Sequence, residues 1–167
     1  MKKKNNYYIG IDASTSSTGL AVLNDNFEIE HYELIKGKAN DPVSFYNLYN
    51  QLVELFNKYQ PKHVICEQQY FGRNVDTTIK LSRLTGVVLV AAGAVNLEIQ
   101  FLNPSSWRKI YHKDTEFEKK YKKTDSFEVT KSKYPNVLTS FKKDNDISDA
   151  IGIAFAAVVI GNGNETK

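Results

Sequence analysis

The sequence predicts an α/β fold in which helices flank a mixed β-sheet, with the element order βββαβαβα. Two features support it. Three apolar or alternating runs near the start predict antiparallel strands. Further along, short apolar runs alternate with segments of helical periodicity, which is typical of strands joined by helices.

The first half of the chain supplies three strands and a helix. Strands are predicted at residues 7–11, 20–23 and 27–35, and the Ser/Thr/Gly cluster at 14–19 predicts a tight connection between the first two. A helix is predicted from Pro42, because proline suits the first helical position after a cap. Apolar residues then recur at helical spacing: Phe45, Leu48, Leu52, Leu55 and Phe56.

The second half alternates strands with helices. Residues 63–66 predict a buried strand that ends on Glu67, and residues 98–102 predict a fifth strand. Asp76 is predicted to cap a long helix with its core face on Ile79, Leu84, Val87, Ala91 and Val95. Another helix is predicted from residue 104, residues 113–140 are predicted to be partly helical, and residues 146–160 predict a final amphipathic helix.

Length and composition predict one domain over residues 1–167, with 41% hydrophobic residues. The most apolar run, residues 87–97, is broken by Gly93 and Asn96, so no membrane span is expected. The basic start has no apolar signal core behind it, and Cys66 has no partner for a disulfide. We therefore expect a soluble, cytoplasmic protein.

The positive charge is concentrated in one segment. The chain carries a net charge of +3, whereas residues 104–143 hold eleven Lys and Arg against five Asp and Glu. Such a basic segment favours a polyanionic partner. A solvated, lysine-rich helix surface would explain the same charge pattern.

Four carboxylates stand where chemistry is expected. Asp12 and Glu67 each end a buried strand, and a carboxylate there needs a partner or a metal ion. Asp146 and Asp149 share one face near the start of the last helix. Taken alone, Asp12 would fit a turn, and the helix pair would fit a favourable interaction with the helix dipole.

The ligand types present favour hard metal ions. A set made only of carboxylates suits Mg²⁺ or Mn²⁺, and paired ions of this kind catalyse phosphodiester hydrolysis. The three histidines, His31, His63 and His112, are scattered and show no ligand spacing.

Several sequence blocks, in order, resemble the RuvC family of Holliday junction resolvases, which are RNase H-like nucleases. The blocks are Ile9-Gly10-Ile11-Asp12-Ala13-Ser14 with Thr18-Gly19-Leu20-Ala21, Ile65-Cys66-Glu67-Gln68-Gln69-Tyr70-Phe71 with Arg73-Asn74, Leu81-Ser82-Arg83-Leu84-Thr85-Gly86-Val87, and Asp146-Ile147-Ser148-Asp149-Ala150. The resemblance covers most of the chain apart from residues 24–60 and 113–145.

This resemblance implies a homodimeric endonuclease that resolves four-way junctions by paired nicks and leaves 5′-phosphates. Asp12, Glu67, Asp146 and Asp149 would hold two Mg²⁺ ions, for which Mn²⁺ can substitute. No small-molecule cofactor is expected.

Aromatic and basic residues are the candidates for DNA contact. Tyr70 and Phe71 follow Glu67 in a predicted loop, where one would stack on bases of an opened junction and the other would fill the core. The basic candidates are Arg73, Lys80, Arg83, Arg108, Lys109, Lys142 and Lys143. Each would contact phosphate or, alternatively, only solvate a helix surface.

The long helix after Asp76 carries more apolar surface than one core face requires, including Val88, Leu89, Val90 and Ala92. Excess apolar surface needs a partner, so this helix is the predicted dimer contact.

Two other functions compete with the nuclease. Residues 12–19 are similar to the first phosphate loop of actin-like ATPases, but such enzymes need two lobes and a second phosphate loop. A branched-DNA-binding module that does not cleave is the other alternative, and the four acids argue against it.

Overall fold

The computed structural model of the chain describes residues 6–69, 72 and 74–163. Its elements confirm the predicted mixed α/β architecture. After the last strand, where the order βββαβαβα counts one helix, the structure has three, in the three segments that were predicted to be helical or partly helical. In chain order they are β1 (Tyr7–Ala13), β2 (Ser17–Asn24), β3 (Ile29–Lys36), α1 (Pro42–Tyr59), β4 (His63–Glu67), α2 (Val75–Ala94), β5 (Gln100–Leu102), α3 (Pro104–Tyr111), α4 (Lys123–Lys133) and α5 (Phe141–Gly163).

The five strands form one sheet in the order β3-β2-β1-β4-β5. β1 pairs antiparallel with β2 and parallel with β4, and in that parallel pair Ile11 lies beside Cys66. The next residue on each strand is an acid, Asp12 on β1 and Glu67 on β4. The register therefore places these two acids next to each other at the same edge of the sheet.

Helices cover both faces of the sheet. Ile9 and Ile11 of β1 pack in a cluster with residues of α1 and α2, whereas Tyr8 belongs to a second cluster built on α3 and α5. Successive side chains of a strand point to opposite faces. Asp12 therefore shares the face of Tyr8, which is the face that α5 covers.

Two glycines let α5 lie directly on the central strands. A Cβ atom at Gly10 would overlap the main-chain oxygen of Ala150, and one at Gly19 would overlap that of Asp146. The main chain of the helix therefore contacts the main chain of β1 and β2. This contact brings the acid-bearing turns of α5 close to Asp12.

The start predicted for α5 was wrong by five residues. The helix begins at Phe141, so Asp146 and Asp149 lie beyond its first turn. The reason is Asp144, whose carboxylate accepts hydrogen bonds from the main-chain N–H groups of Thr139 (2.6 Å) and Ser140 (3.0 Å). An acid within the helix thus caps it by reaching back.

The cap and core face predicted for α2 also need correction. Asn74, and not Asp76, caps the helix by accepting a hydrogen bond from the Thr77 N–H at 3.2 Å. The buried residues are Leu84, Val88, Ala91 and Ala92, while Ile79 is exposed. Of the predicted core face, Leu84 and Ala91 are buried and Val87 and Val95 pack against the same cluster, so only Ile79 was wrong. Val88 and Ala92, predicted as surplus apolar surface, are buried in that core instead.

Candidate active site

The structure gathers the four predicted acids where β1, β4 and α5 meet. Asp12 and Asp149 are buried, with 4% and 1% of their surfaces exposed. The ammonium nitrogen of Lys123 forms ion pairs with Asp146 at 2.9 Å, Asp149 at 3.3 Å and Asp12 at 3.5 Å. One cation therefore bridges three of the acids.

Lys123 was not among the site residues predicted from the sequence. It is the first residue of α4, and the helix start turns its side chain toward the acids. Among the described residues, no three acids, histidines or cysteines are arranged so that they could hold one metal ion. The ammonium of Lys123 lies among the carboxylates, in space that an ion held by them would need.

Helix α3 contributes a tryptophan and an arginine to the same site. The indole N–H of Trp107 donates a 2.7 Å hydrogen bond to Glu67 Oε2. Arg108 Nη2 donates to Asp149 Oδ2 at 3.2 Å, and its guanidinium lies 4.6 Å from the centre of the Trp107 ring. These two neighbours in sequence fix one acid from the sheet and one from α5.

Hydroxyl groups of the β1–β2 turn hold the remaining acid. The Ser17 hydroxyl donates to Asp146 Oδ2 at 2.7 Å, and the Ser14 hydroxyl lies 3.4 Å from the same oxygen. Asp146 is therefore oriented by neutral donors as well as by Lys123.

Burial and mutual repulsion raise the pKa values of three of these carboxyl groups. Burial, together with the charges of Asp149 and Glu67, raises the pKa of Asp12 well above its usual range. Burial also raises the pKa of Glu67, and it raises that of Asp149 to about 7. Burial alone would lower the pKa of the Lys123 ammonium, but the charges of Asp12 and Asp149 raise it above its usual value.

The chemistry of the site fits a divalent cation. Lys123 and Arg108 supply two positive charges against four carboxylates, which leaves a deficit of two when all are ionised. Two buried oxygens, Asp12 Oδ2 and Asp149 Oδ1, accept no hydrogen bond from the described residues, and the first has only the Lys123 ammonium 3.5 Å away. Oxygen ligands with unsatisfied charge are what Mg²⁺ and Mn²⁺ bind in proteins.

The basic residues predicted to bind DNA occupy different environments. Lys109, Lys142 and Lys143 are exposed, and the last two lie in the first turn of α5 rather than before it. Lys80 pairs with Asp76, and Arg83 donates to Asn40 at 2.6 Å. Arg108 is mostly buried and turns inward to Asp149. Tyr70, Phe71 and Arg73 lie outside the described residues.

Both the sequence and the fold of this chain are similar to those of known proteins. Residues 8–157 match the family model described as crossover junction endodeoxyribonuclease RuvC. The RuvC of Brachyspira hyodysenteriae is 28% identical over 159 residues, covering 89% of this chain and 91% of that protein. The RuvC of Dictyoglomus thermophilum is 29% identical over 101 residues, which cover 58% of this chain and just under two thirds, 64%, of that protein.

Solved structures share the fold. Thermus thermophilus RuvC in complex with a Holliday junction substrate superposes with a TM-score of 0.74 and 19% identity, covering 95% of this chain and 96% of that one. The yeast mitochondrial Holliday junction resolvase Ydc2 gives a TM-score of 0.65 and 17% identity, with coverages of 95% and 80%. These neighbours confirm the RNase H-like fold.

Proposed function

The chain belongs to the RuvC family, and we propose on this basis that it is a structure-specific endonuclease resolving Holliday junctions and other branched DNA. The observation that carries the proposal is the convergence of Asp12, Glu67, Asp146 and Asp149 at one edge of the sheet. The named relatives, whose names describe crossover junction endonucleases, support the choice of substrate.

The four carboxylates would hold Mg²⁺, with two ions in each site and Mn²⁺ able to substitute. When bound, such ions lower the pKa of a water and stabilise the departing 3′ oxygen, so that hydrolysis leaves a 5′-phosphate. Trp107 and Ser17 keep their carboxylates oriented throughout by donating hydrogen bonds to them. Lys123, relieved of part of its neutralising role, would then be free to contact an anionic phosphate.

A groove lined by the β1–β2 turn, the residues after β3 and α2 would offer a path for the DNA backbone. It has a volume of about 250 Å³ and adjoins the β1–β2 turn. Its wall is made of hydroxyl groups, small residues and two lysines: Thr15, Ser16, Gly37, Lys38, Ala39, Thr77 and Lys80. Hydroxyl and ammonium donors are typical phosphate contacts. Lys80 and, one turn further along α2, Arg83 would therefore contact DNA from this side.

The other proposed DNA contacts are aromatic and basic residues. Tyr70 and Phe71 follow Glu67 by three and four residues in the sequence and Arg73 by six, so an aromatic side chain there would reach bases opened next to the cut. Lys109, Lys142 and Lys143 are exposed on α3 and α5 and would contact phosphates of the duplex arms.

We also propose that the enzyme acts as a homodimer through α2. Val75, Ile79, Leu89 and Val90 are exposed on this helix, and Val90 alone exposes 64% of its surface. An apolar surface of this kind favours a partner, and two copies would supply the two sites that paired nicks require.

A labelled four-way junction tests the proposal directly. Incubation with Mg²⁺ should give symmetric nicks with 5′-phosphates, and EDTA should abolish them. Ca²⁺ should allow junction binding without efficient cleavage, because its looser coordination misplaces the attacking water. A band shift without nicking would instead indicate a binding module, and ATP turnover would indicate the ATPase.

A further inference from the structure

His112 is a buried histidine that the proposed function does not use. It follows α3 directly and is completely buried. Two hydrogen bonds fix its ring. Nδ1 lies 2.6 Å from the main-chain oxygen of Lys120, and Nε2 lies 3.0 Å from the hydroxyl of Ser126.

The partners of the ring determine where its proton lies. A carbonyl oxygen can only accept a hydrogen bond, so Nδ1 must carry the proton that is shared with Lys120. A neutral ring then presents Nε2 as an acceptor, and Ser126 donates its hydroxyl proton to it. Burial lowers the pKa of His112, which also favours the neutral ring.

The Ser126 hydroxyl continues this ordered series of hydrogen bonds toward the acids. With its proton directed at His112, its oxygen accepts from Arg108 Nε at 3.1 Å. The same guanidinium donates to Tyr121 O through Nη1 and to Asp149 Oδ2 through Nη2, each at 3.2 Å. Three of its N–H groups are thereby committed, which leaves one orientation for Arg108.

The second bond of the ring acts on the segment that leads into α4. Lys120 is held by His112, and Tyr121 is held by Arg108 and lies 6.2 Å from the His112 ring centre. Lys123 follows two residues later. His112 is thus linked to both cations of the site: to Arg108 through Ser126, and to Lys123 through the segment that contains Lys120.

We propose that His112 is a positioning residue, held as the Nδ1–H tautomer, which orients Arg108 and Lys123 against the acid cluster. The consequence for cleavage rests on the proposed function, whereas the tautomer and its effect on Arg108 do not. An ordinary core histidine would show none of the coupling described below.

Nitrogen NMR of the metal-free protein tests the tautomer. The His112 signals should show a protonated Nδ1 and an unprotonated Nε2, and Ser126→Ala should perturb the Nε2 signal more than the Nδ1 signal. A ring protonated on Nε2 alone at neutral pH would overturn the proposal.

Substitutions separate the two bonds of the ring. His112→Asn keeps a donor for the main-chain oxygen of Lys120 but removes the hydrogen bond with Ser126. His112→Gln can still bond to Ser126 but not to Lys120. His112→Phe keeps a ring of similar volume and removes both hydrogen bonds. At saturating junction and Mn²⁺, we expect single-turnover cleavage to fall about tenfold for Asn and further for Phe, as expected for loss of hydrogen bonds acting on charged groups.

A double-substitution cycle shows whether His112 acts through Arg108. Arg108→Lys keeps a charge but removes the Nε–H that Ser126 accepts. In that background His112→Asn should cause no further loss of cleavage rate, because the connection is already broken. Independent, multiplying losses would overturn the proposal.

His63→Gln is the control substitution. His63 is a half-buried histidine at the start of β4 whose ring is hydrogen-bonded to Gln100, away from the acids. This variant should cleave the junction like the wild type. Melting temperatures and junction affinities of all variants are measured in parallel. If the wild-type protein nicks no junction, the proposed function fails. If it nicks and the His112 variants match it, only the positioning role fails.

Discussion

Helices α2 and α5 have nearly the same length and hydropathy but different surroundings. Their most apolar windows have mean hydropathies of 1.2 and 1.3, and by length and composition alone either could cross a membrane. In the fold, 61% of the α5 window is buried but only 22% of the α2 window. The difference lies in the sheet, because α5 lies along β1 and β2 while α2 packs mainly against α1.

Two helices of similar composition therefore have different roles, one in the core and the other at the surface. The apolar surface of α5 is core, and Gly10 and Gly19 of the strands let the helix approach closely enough to bring its acids to the sheet. That of α2 stays largely uncovered, which is consistent with an interface. Four predictions test this contrast.

The largest expected effect comes from an acid on α5. Asp149→Asn should reduce junction cleavage by about 10³-fold, because it removes a ligand for ions that each contribute several kcal/mol to transition-state stabilisation. Junction affinity should stay similar or rise. Asp76→Asn on α2 is the matched control, and near-normal cleavage by Asp149→Asn would contradict the site assignment.

The next effect concerns association. Val90→Lys places a charge on the exposed face of α2 and should weaken self-association by roughly 100-fold, as expected for a charge at an apolar contact present in both copies. Val159→Lys on α5 should leave association unchanged, since Val159 lies on the other helix and is partly exposed. Sedimentation measures both. A wild-type protein that stays monomeric at micromolar concentration would refute the α2 interface.

Glycine substitutions should act with opposite signs on the two helices. A Cβ at Gly152 of α5 would lie 2.6 Å from Trp107 and 2.8 Å from Tyr111, so Gly152→Ala should cost about 1–3 kcal/mol of unfolding free energy. Gly93 of α2 has open space around it, and Gly93→Ala should stabilise by up to about 1 kcal/mol. Urea unfolding measures both, and equal effects would show that α5 is not closely packed.

The smallest effect is a pH dependence of the metal-free protein. Burial raises the pKa of Asp149 to about 7. The folded protein therefore binds this proton more tightly than the unfolded chain does, and the stability that the proton provides is present at acid pH and lost as the pH rises through 7. Relative to Asp149→Asn, the wild type should therefore lose stability between about pH 4 and pH 8.

Asp144 on the same helix provides a control of opposite sign. Slight burial acts to raise its pKa, but hydrogen bonds from Thr139 and Ser140 lower it overall. Its contribution is therefore present above its ordinary pKa and lost as the pH falls. Thermal melting should show the Asp149 contribution falling as the pH rises between about pH 4 and pH 8, and the Asp144 contribution falling only as the pH drops below about pH 4. A trend of the same direction for Asp144→Asn and Asp149→Asn, each compared with the wild type, would contradict the assignments.

Much of the fold followed from local patterns. Periodicity predicted the positions of the strands and of the helices that begin with proline. The acids Asp12 and Glu67 were predicted because each follows an apolar run. The beginning of α5 did not, because its cap lies inside the helix at Asp144. On α2 the sequence predicted Ile79 in the core and Val88 outside it, and the structure has the reverse, because apolar residues from Val87 onward are consecutive and leave the periodicity ambiguous.

The cations and neutral donors of the site were harder to find. Lys119, Lys120, Lys122 and Lys123 crowd five positions, and composition cannot tell which of them faces the acids. Only the start of α4 decides it. The indole of Trp107 and the hydroxyl of Ser17 likewise depend on packing between elements that are distant in sequence.

Gly10 and Gly19 give the gap between the two acid-bearing layers a fixed width. Because main chain touches main chain there, no side chain can be exchanged for a smaller one to correct the spacing. One added methyl group at either glycine would push α5 away from the sheet and so separate the acids of the helix from those of the strands. Such a protein would keep every carboxylate in its sequence and still lose its site, so the activity of a relative cannot be judged from its acids alone.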